Sequence, residues 1–353
     1  MVKRIILRGI NLLLVANLIL LALSGCSGQA PDSTLIMLEP DNTIKEAPII
    51  KKSKDTIIAM VPKSLDNPVF LDAKEEGERV GRELGIKVEW LGSMQTNSSE
   101  QEAIVESLIR RQVDGIVISC IDPNRMRPVI DRAVEAGIKV ATFDSDCPLS
   151  SRLFYCGTNN YKAGDACGDA LIKVLKEKGE DQKVLDLLVM TSDVGDNNLN
   201  ERLNSFIDTA KKRGIVLNRI DTLYCKDDIN LAGDILEKYI RNERRPDVFF
   251  STGGWPLIVP PESLPSFQAW CDKGGISIVI DTFYPIVEAA KKGMADALIG
   301  QNFTKMGELS IRNLYKAIKG EEISLKFIDT GLELGDKNNY DLMLKQKQRW
   351  EIK

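Results

Sequence analysis

Histidine does not occur in this chain of 353 residues, and aromatic residues make up only 6% of it. Ser-His-Asp and Cys-His hydrolases, acid–base chemistry by imidazole and His-ligated zinc sites all need the missing residue. The seven cysteines form no CxxC pair, so neither a zinc ribbon nor a thioredoxin-like motif is indicated. The chain is therefore expected to use no metal and no cofactor.

Signals for phosphate and nucleic-acid binding are also missing. The sequence has no Walker lysine loop and no GxGxxG motif. Its 47 Lys+Arg against 51 Asp+Glu give a net charge of −4, which argues against a nucleic-acid surface. With 43% hydrophobic and 28% charged residues the composition is ordinary for a globular protein, and the length suggests two domains or lobes.

The amino terminus has the pattern of a secretory signal. Three basic residues precede the apolar stretch Ile10–Leu23, which is short for a permanent membrane span, and Leu-Ser-Gly stands directly before Cys26. This ending resembles the lipobox of bacterial lipoproteins, so residues 1–25 are predicted to be a lipoprotein signal peptide and Cys26 the lipidated residue. The alternative is a plain signal peptide with an incidental cysteine. Residues 26–54 carry prolines and scattered charges without a period, which predicts a flexible tether.

The remaining six cysteines are expected to lie outside the cytoplasm, where disulfides are allowed. Cys120, Cys156 and Cys225 lie in or at the ends of apolar runs, which favours small buried residues. Cys147 and Cys156 could bridge across a short loop, but the sequence leaves the connectivity open.

Strand and helix patterns alternate from Thr56 to the end of the chain. The apolar run Thr56–Val61 predicts a buried strand, Asn67-Pro68 is typical of a helix start, and Gly85 of a helix end. Similar units follow, including a helix over Pro128–Ala136 and one last strand over Leu325–Leu332. The prediction is an α/β fold of two doubly wound parallel-sheet lobes.

Polar and aromatic residues gather at the predicted strand ends, where doubly wound sheets bind ligands. They are Asn67, Phe70, Asp144, Asp146, Arg202, Trp255, Asp281 and Gln301. Carboxylates, amides and a guanidinium can each hold two hydroxyls, and flat rings pack on the C–H face of a sugar. Each residue also has a structural alternative: a helix cap for Asn67, core packing for Phe70, loop packing for Trp255, and solvated loop carboxylates for Asp144 and Asp146.

Several motifs resemble those of the periplasmic sugar-binding proteins of ABC importers, the ribose-binding-like group that shares its fold with the effector domains of LacI-type repressors. The resemblance covers residues 55–334. Its strongest points are Leu65–Phe70, Val113–Ile118, Gly137–Asp144, Ile278–Asp281 and Ala297–Gln301 with Met306-Gly307. It implies a type I periplasmic binding protein whose ligand lies between two lobes.

The resemblance assigns sugar contacts to Asn67 and Phe70 in the first motif and to the carboxylate of Asp144. The family's Asp-Arg is here Asp144-Ser145, so one guanidinium contact is missing and Asp146 is the candidate replacement.

In the second half of the chain the resemblance assigns contacts to Arg202, Asp281 and Gln301. The family's amide after the intervening strand is replaced by 252–254, with Trp255 as the candidate substitute. These departures argue for a sugar or polyol other than ribose.

The family's chain crosses between its lobes three times. By resemblance the crossings fall near Gly157-Thr158, Gln301-Asn302 and Gly331-Leu332, giving an N-terminal lobe of 55–157 plus 302–331 and a C-terminal lobe of 158–301 plus 332–353. Closure around the ligand is then a hinge motion.

These observations predict a lipid-anchored extracytoplasmic receptor of the bacterial cell envelope. It would be a monomer that binds a monosaccharide or polyol and delivers it to the transmembrane subunits of an ABC permease, touching the membrane only through its lipid. The alternative is the same receptor serving a chemoreceptor or sensor kinase. A glycosidase is disfavoured because Asp144 and Asp146 stand only two residues apart, and a repressor because a lipobox-like segment occupies the place of a DNA-binding domain.

Overall fold

The computed structural model describes residues 55–179, 184–242 and 245–347. The predicted signal peptide, the tether to residue 54 and the predicted lipidation at Cys26 lie outside these residues. Among the described residues, no helix combines the length and the apolar character needed to cross a membrane.

The described residues alternate between strands and helices almost throughout. The strands are β1 (Ile57–Val61), β2 (Lys87–Trp90), β3 (Gly115–Ile118), β4 (Lys139–Phe143), β5 (Tyr155–Gly157), β6 (Val184–Thr191), β7 (Val216–Tyr224), β8 (Val248–Ser251), β9 (Ile276–Ile280), β10 (Ala297–Gln301), β11 (Phe327–Asp329) and β12 (Leu332–Asp336). The α-helices are α1 (Leu71–Leu84), α2 (Ser98–Arg110), α3 (Pro123–Glu135), α4 (Asn160–Glu177), α5 (Asn197–Lys212), α6 (Ile229–Asn242), α7 (Pro265–Asp272), α8 (Tyr284–Ala289), α9 (Phe303–Ile318) and α10 (Tyr340–Lys347).

Two six-stranded sheets organise these described elements. Their strand orders are β2-β1-β3-β4-β5-β11 and β7-β6-β8-β9-β10-β12. The pairings are parallel except that of β10 with β12, which is antiparallel. The predicted α/β fold with two parallel-dominated sheets is confirmed. We call the first sheet with its helices the first lobe and the second sheet with its helices the second lobe.

Each sheet is buried on both faces, as strand β1 shows. Ile58 and Met60 pack into one apolar cluster with residues of α1 and α9, whereas Ala59 and Val61 pack into another with residues of α2 and α3. Because successive side chains of a strand point to opposite faces, a continuous apolar run fills two cores at once.

Local signals set the segment that leads from β1 into the first helix. The side-chain oxygen of Asn67 accepts a hydrogen bond from the backbone N–H of Val69 (3.2 Å), and Pro68 begins a 3₁₀ turn that continues into α1. Gly85 ends α1 with φ of +67°, a left-handed conformation that glycine adopts without steric cost.

Two predicted elements differ from the structure. Helix α3 begins at Pro123 rather than Pro128, because the carboxylate of Asp122 caps it by accepting from the N–H groups of residues 124 and 125. The single last strand predicted over Leu325–Leu332 is two strands, β11 and β12, which belong to different sheets. Gly331, with φ of +77°, lies in the turn between them.

Candidate functional site

The carboxyl ends of the parallel strands in the two lobes face one narrow cavity of about 40 Å³. Its lining includes Lys63, Asn67, Phe70, Asp144 and Phe303 from the first lobe, and Asn198, Arg202, Asp227, Trp255, Asp281 and Gln301 from the second. Seven of the eight predicted ligand-binding residues therefore meet here. A cavity of this volume holds about three water molecules and is therefore too small for a sugar in this conformation.

Matching turns present one carboxylate from each lobe. Asp144 directly follows β4 and Asp281 directly follows β9, and both have positive φ angles of 55° and 91°. Non-glycine residues rarely adopt this conformation, and strained residues of this kind cluster at ligand sites. Both carboxylates are buried.

Arg202, on α5, anchors the polar network of the second lobe. Its guanidinium is almost completely buried and donates to the side-chain oxygen of Asn160 (2.8 Å), the carbonyl of Thr252 (2.9 Å) and the Oε1 of Gln301 (2.5 Å). Burying a cation requires such partners, because an unpaired buried charge is very costly. The three acceptors therefore fix the plane of the guanidinium.

Gln301 connects Arg202 to Asp281. Its Oε1 accepts from Arg202, while its Nε2 donates to Oδ1 of Asp281 (2.9 Å). The other carboxylate oxygen of Asp281 accepts from the backbone N–H of Gly254 (3.0 Å). The amide of Gln301 thus connects the cationic Arg202 to the carboxylate of Asp281 within the second lobe.

The pKa of Asp281 is raised, because burial disfavours the charged carboxylate more than its neighbours favour it. Arg202, Gln301 and the Gly254 N–H lower this pKa, and Asp144 raises it. The burial of this carboxylate costs free energy in the unliganded protein. Further donors from a ligand would stabilise its charged form.

The first lobe supplies a carboxylate, an amide and an apolar wall. Oδ2 of Asp144 accepts from the hydroxyl of Ser119 (2.6 Å). Asn67 lines the cavity and also caps its turn, so the two alternatives for this residue are compatible. Phe70 packs edge to face on Phe303, with ring centroids 5.8 Å apart, and both rings line the cavity although both belong to a core cluster.

Lys63 is a cavity residue that the sequence analysis missed. It lies two residues after β1 and is buried, and its Nζ is 3.7 Å from Oδ1 of Asp196, which precedes α5 in the second lobe. Burial lowers the pKa of Lys63, but Asp196, Asp227 and Asp144 together raise it above its ordinary value. Lys63 is therefore a cation that links the lobes. The sequence offered one signal for Lys63, namely its position just after the end of a predicted strand.

Asp227 is a second missed residue. It lines the cavity together with Trp255. Burial raises the pKa of Asp227, while Lys63 lowers it. Trp255 itself is buried in an apolar cluster of the second lobe, so it both packs a loop and faces the cavity.

Asp146 is the one predicted ligand residue that does not line this cavity. Its carboxylate forms an ion pair with Arg152 and accepts hydrogen bonds from the hydroxyl of Thr142 (2.5 Å) and the backbone N–H of Cys147 (2.7 Å). The expected replacement for the family's missing guanidinium contact is thus engaged within the first lobe. The cation that the first lobe brings to the cavity is Lys63.

The cavity combines groups that suit a polyhydroxylated solute. It offers charged donors, charged acceptors and amides near an aromatic wall. The Oδ1 atom of Asn198 is buried and has no hydrogen-bond partner among the described residues, so it is an acceptor for a ligand donor. Within those residues no cluster of three or more His, Cys, Asp or Glu side chains could hold a metal ion.

A family model described as a periplasmic binding protein domain matches residues 58–322, three quarters of the chain. The chain belongs to the periplasmic binding protein family. Within that family it is a ribose-binding-like protein of type I, as the resemblance predicted. It is a substrate-binding protein and not an enzyme.

Individual relatives agree with this assignment. An ABC transporter solute-binding protein of Burkholderia graminis C4D1M, solved in complex with D-arabinose, is 30% identical with a TM-score of 0.73, over 82% of this chain and 98% of that one. The ribose import binding protein RbsB of Bacillus subtilis is 27% identical over 154 residues, 44% of this chain, and the match spans about half (49%) of that protein. RbsB of Haemophilus influenzae is 24% identical over 277 residues, 78% of this chain and 89% of that protein.

Proposed function

We propose that the protein is an extracytoplasmic receptor, anchored by a lipid on Cys26, that captures a sugar or polyol between its lobes and delivers it to an ABC importer. The observation that carries the proposal is the pair of matching turns that brings Asp144 and Asp281 from opposite lobes to one enclosed cavity beside Arg202. Carboxylates on both sides of a hydroxylated ring, with a guanidinium beside them, can hold several hydroxyls at once.

The ligand class follows from the mixture of groups rather than from one contact. Charges of both signs line the cavity, so no single sign of ligand charge is favoured, and the Phe70–Phe303 wall suits an apolar C–H face. The Burkholderia relative was solved with D-arabinose. We therefore expect a neutral monosaccharide or polyol, with pentoses first in the order of testing.

Binding is tested by thermal shift and calorimetry on the soluble form spanning residues 54–353. A ligand that binds only the folded state stabilises it by RT ln(1 + [L]/Kd), about 4 kcal/mol at a thousandfold excess over Kd. D-arabinose, D-ribose, hexoses and polyols form the panel, with sugar acids and amino acids as controls. A melting temperature that rises with a control solute and with no sugar or polyol would contradict the proposed ligand class.

The anchor is tested separately, because Cys26 lies outside the described residues. In the full chain, Cys26→Ala should release the protein from the membrane fraction, whereas Cys271→Ala should leave it there. A Cys26→Ala protein that is processed and still sediments with membranes would argue against lipidation at this residue.

Delivery to a permease is tested by cross-linking the full chain in its native envelope, with and without the best sugar of the panel. We expect the transmembrane subunits of an ABC importer among the partners. Recovery of a sensor kinase or chemoreceptor in their place would favour the sensing alternative and would leave sugar binding untouched.

A further inference from the structure

Two buried cysteines meet beside the candidate site in the first lobe. Cys120 follows β3 and Cys147 follows β4, and these strands are parallel neighbours. The backbone N–H of Cys120 donates to the carbonyl of Ser145 (3.0 Å), which draws the two loops together. Both thiols are free in the structure and belong to the same buried apolar cluster, and the thiol of Cys147 donates to the carbonyl of Pro123 (3.2 Å).

We propose that Cys120 and Cys147 form a disulfide in the mature protein. The inference rests on the extracytoplasmic location in the proposed function, because disulfides persist in oxidising compartments and are rare in the cytoplasm. The loop that the bond closes is about 27 residues long and contains α3, so the bond reduces the conformational freedom of this segment in the unfolded chain.

The sheet itself decides between the possible partners of Cys147. Cys147 packs in the apolar cluster with Cys120 on the α2–α3 face of the first sheet. Cys156 packs in the cluster on the opposite face, where its thiol contacts the carbonyl of Met306 (3.9 Å). A bridge from Cys147 to Cys156 would have to pass through the sheet. The pairing of Cys147 with Cys156, which the sequence left open, is therefore less favourable than the pairing of Cys147 with Cys120.

The bond forms by two thiol–disulfide exchanges with a disulfide oxidant. The neighbouring Cys120 thiol lowers the pKa of Cys147, so the Cys147 thiolate attacks the oxidant and one of its thiolates leaves. The Cys120 thiolate then attacks the Cys147 sulfur in the mixed disulfide, and the second thiolate leaves. Two cysteine thiols are oxidised, one disulfide of the oxidant is reduced, and the two protons go to the leaving groups.

The disulfide would brace the turn that presents the first-lobe carboxylate. Ser119, next to Cys120, donates to Asp144, and Asp144 stands three residues before Cys147. Joining the two loops covalently fixes both ends of this hydrogen bond. The bond therefore supports the geometry of the site as well as the stability of the lobe.

The test counts reactive thiols in denatured full-length protein isolated from the envelope, with Cys26 carrying its lipid. We expect four thiols from the six cysteines after Cys26, and one cross-linked peptide that contains Cys120 and Cys147. Cys147→Ser should show five thiols, and the matched variant Cys156→Ser should show three. Six thiols in the parent protein, or five in Cys156→Ser, would overturn the proposal, whatever the protein does with sugars.

A second measurement covers the case in which a variant folds poorly. The parent protein is reduced in denaturant, refolded, and then treated with oxidised glutathione. Formation of the disulfide should release two molecules of reduced glutathione per protein and raise the melting temperature by at least about 5 °C. An unchanged melting temperature after formation of the cross-link would reject a stabilising bond. Sugar binding by both forms would keep the proposed function intact in either case.

Discussion

The two lobes bring similar residue types to the cavity, but they hold them differently. In the second lobe, Arg202, Gln301 and Asp281 hydrogen-bond one another, so their positions do not depend on the other lobe. In the first lobe, the cation Lys63 finds its nearest carboxylate, Asp196, across the cleft. The comparison indicates that the second lobe carries a preorganised half-site, whereas the electrostatic balance of the first lobe is completed by closure. We therefore expect a ligand to dock on the second lobe before the hinge closes.

The largest expected effect comes from removing the anchor of the preorganised half. Arg202→Leu leaves the acceptors on Asn160, Thr252 and Gln301 without their donor. Each buried acceptor left unsatisfied costs about 1–3 kcal/mol, so the apo melting temperature should fall. The variant also removes a charged donor from the cavity, so calorimetry should show at least about a hundredfold loss of affinity. Arg213→Leu is the control, since its pair with Asp169 is exposed. Equal effects of the two variants would contradict the special position of Arg202.

The matching carboxylates give the second prediction. Asp281→Asn places an amide opposite two donors, Gly254 N–H and Gln301 Nε2, so one hydrogen bond is lost together with the ligand contact. Asp144→Asn keeps its partner, because a hydroxyl such as Ser119 can donate or accept. We expect affinity losses of about 30-fold for Asp281→Asn and about tenfold for Asp144→Asn, measured by calorimetry.

The apo forms of these two variants separate a ligand contact from a structural role. In Asp281→Asn the lost hydrogen bond and the removal of a costly buried charge oppose each other, so the melting temperature should change little. Unchanged affinity, or a variant that simply unfolds, would reject Asp281 as a ligand contact. It would also weaken the assignments of Asp144 and Arg202.

Much of the site could be predicted because strand ends are visible in the sequence. The apolar runs that end at Phe143 and Ile280 fix where Asp144 and Asp281 stand, and parallel sheets bring such positions to one edge. The α/β fold could be predicted as well, because apolar strand runs and helical patterns alternate along the chain. The division of the last strand at Gly331 could not be read from its apolar pattern, since both pieces are extended and only their sheets differ.

Residues whose role depends on which side chain becomes their partner were predicted wrongly or missed. Asp146 has the same side chain as Asp144 and lies two positions away, yet Arg152 and Thr142 engage it inside the lobe. In the sequence Lys63 looks like an ordinary charged loop residue. Only the folded structure shows that it lies opposite Asp196 of the other lobe. A pattern along the chain carries no information on which of two nearby carboxylates finds an internal partner.

Lys63 gives a third prediction, aimed at the half of the site that closure completes. Lys63→Met leaves Asp144, Asp196 and Asp227 facing one another without their cation, and their mutual repulsion opposes closure. Affinity should fall by about tenfold, and small-angle scattering should show a more extended apo protein. Lys87→Met, at an exposed position, is the control. A variant with unchanged dimensions and affinity would show that the lobes close without this cation.

The raised pKa of Asp281 predicts a pH dependence of the apo protein. A carboxyl group whose folded pKa lies above its unfolded value binds protons more tightly in the folded state, so its contribution to stability falls as pH rises above 3.8 towards the folded pKa. Asp281→Asn lacks this loss. Relative to the parent, the variant's melting temperature should therefore increase from about pH 4 to pH 7. A difference that stays constant across this range would contradict the raised pKa.

The smallest effect on binding is expected at Asp146, a carboxylate of the first lobe that does not line the cavity. Asp146→Asn keeps the size of the side chain but removes the charge that pairs with Arg152 in a partly buried position. The first lobe should lose about 1–2 kcal/mol of unfolding free energy, because a charge-assisted contact becomes a neutral one. Affinity should change by less than about twofold, since the carboxylate faces its own lobe and not the cavity. The matched variant Asp144→Asn, two residues away on the same turn, should show the reverse: a clear loss of affinity with little loss of stability. If both variants lose affinity alike, the turn acts as one unit and the separation of a ligand carboxylate from a structural one is wrong.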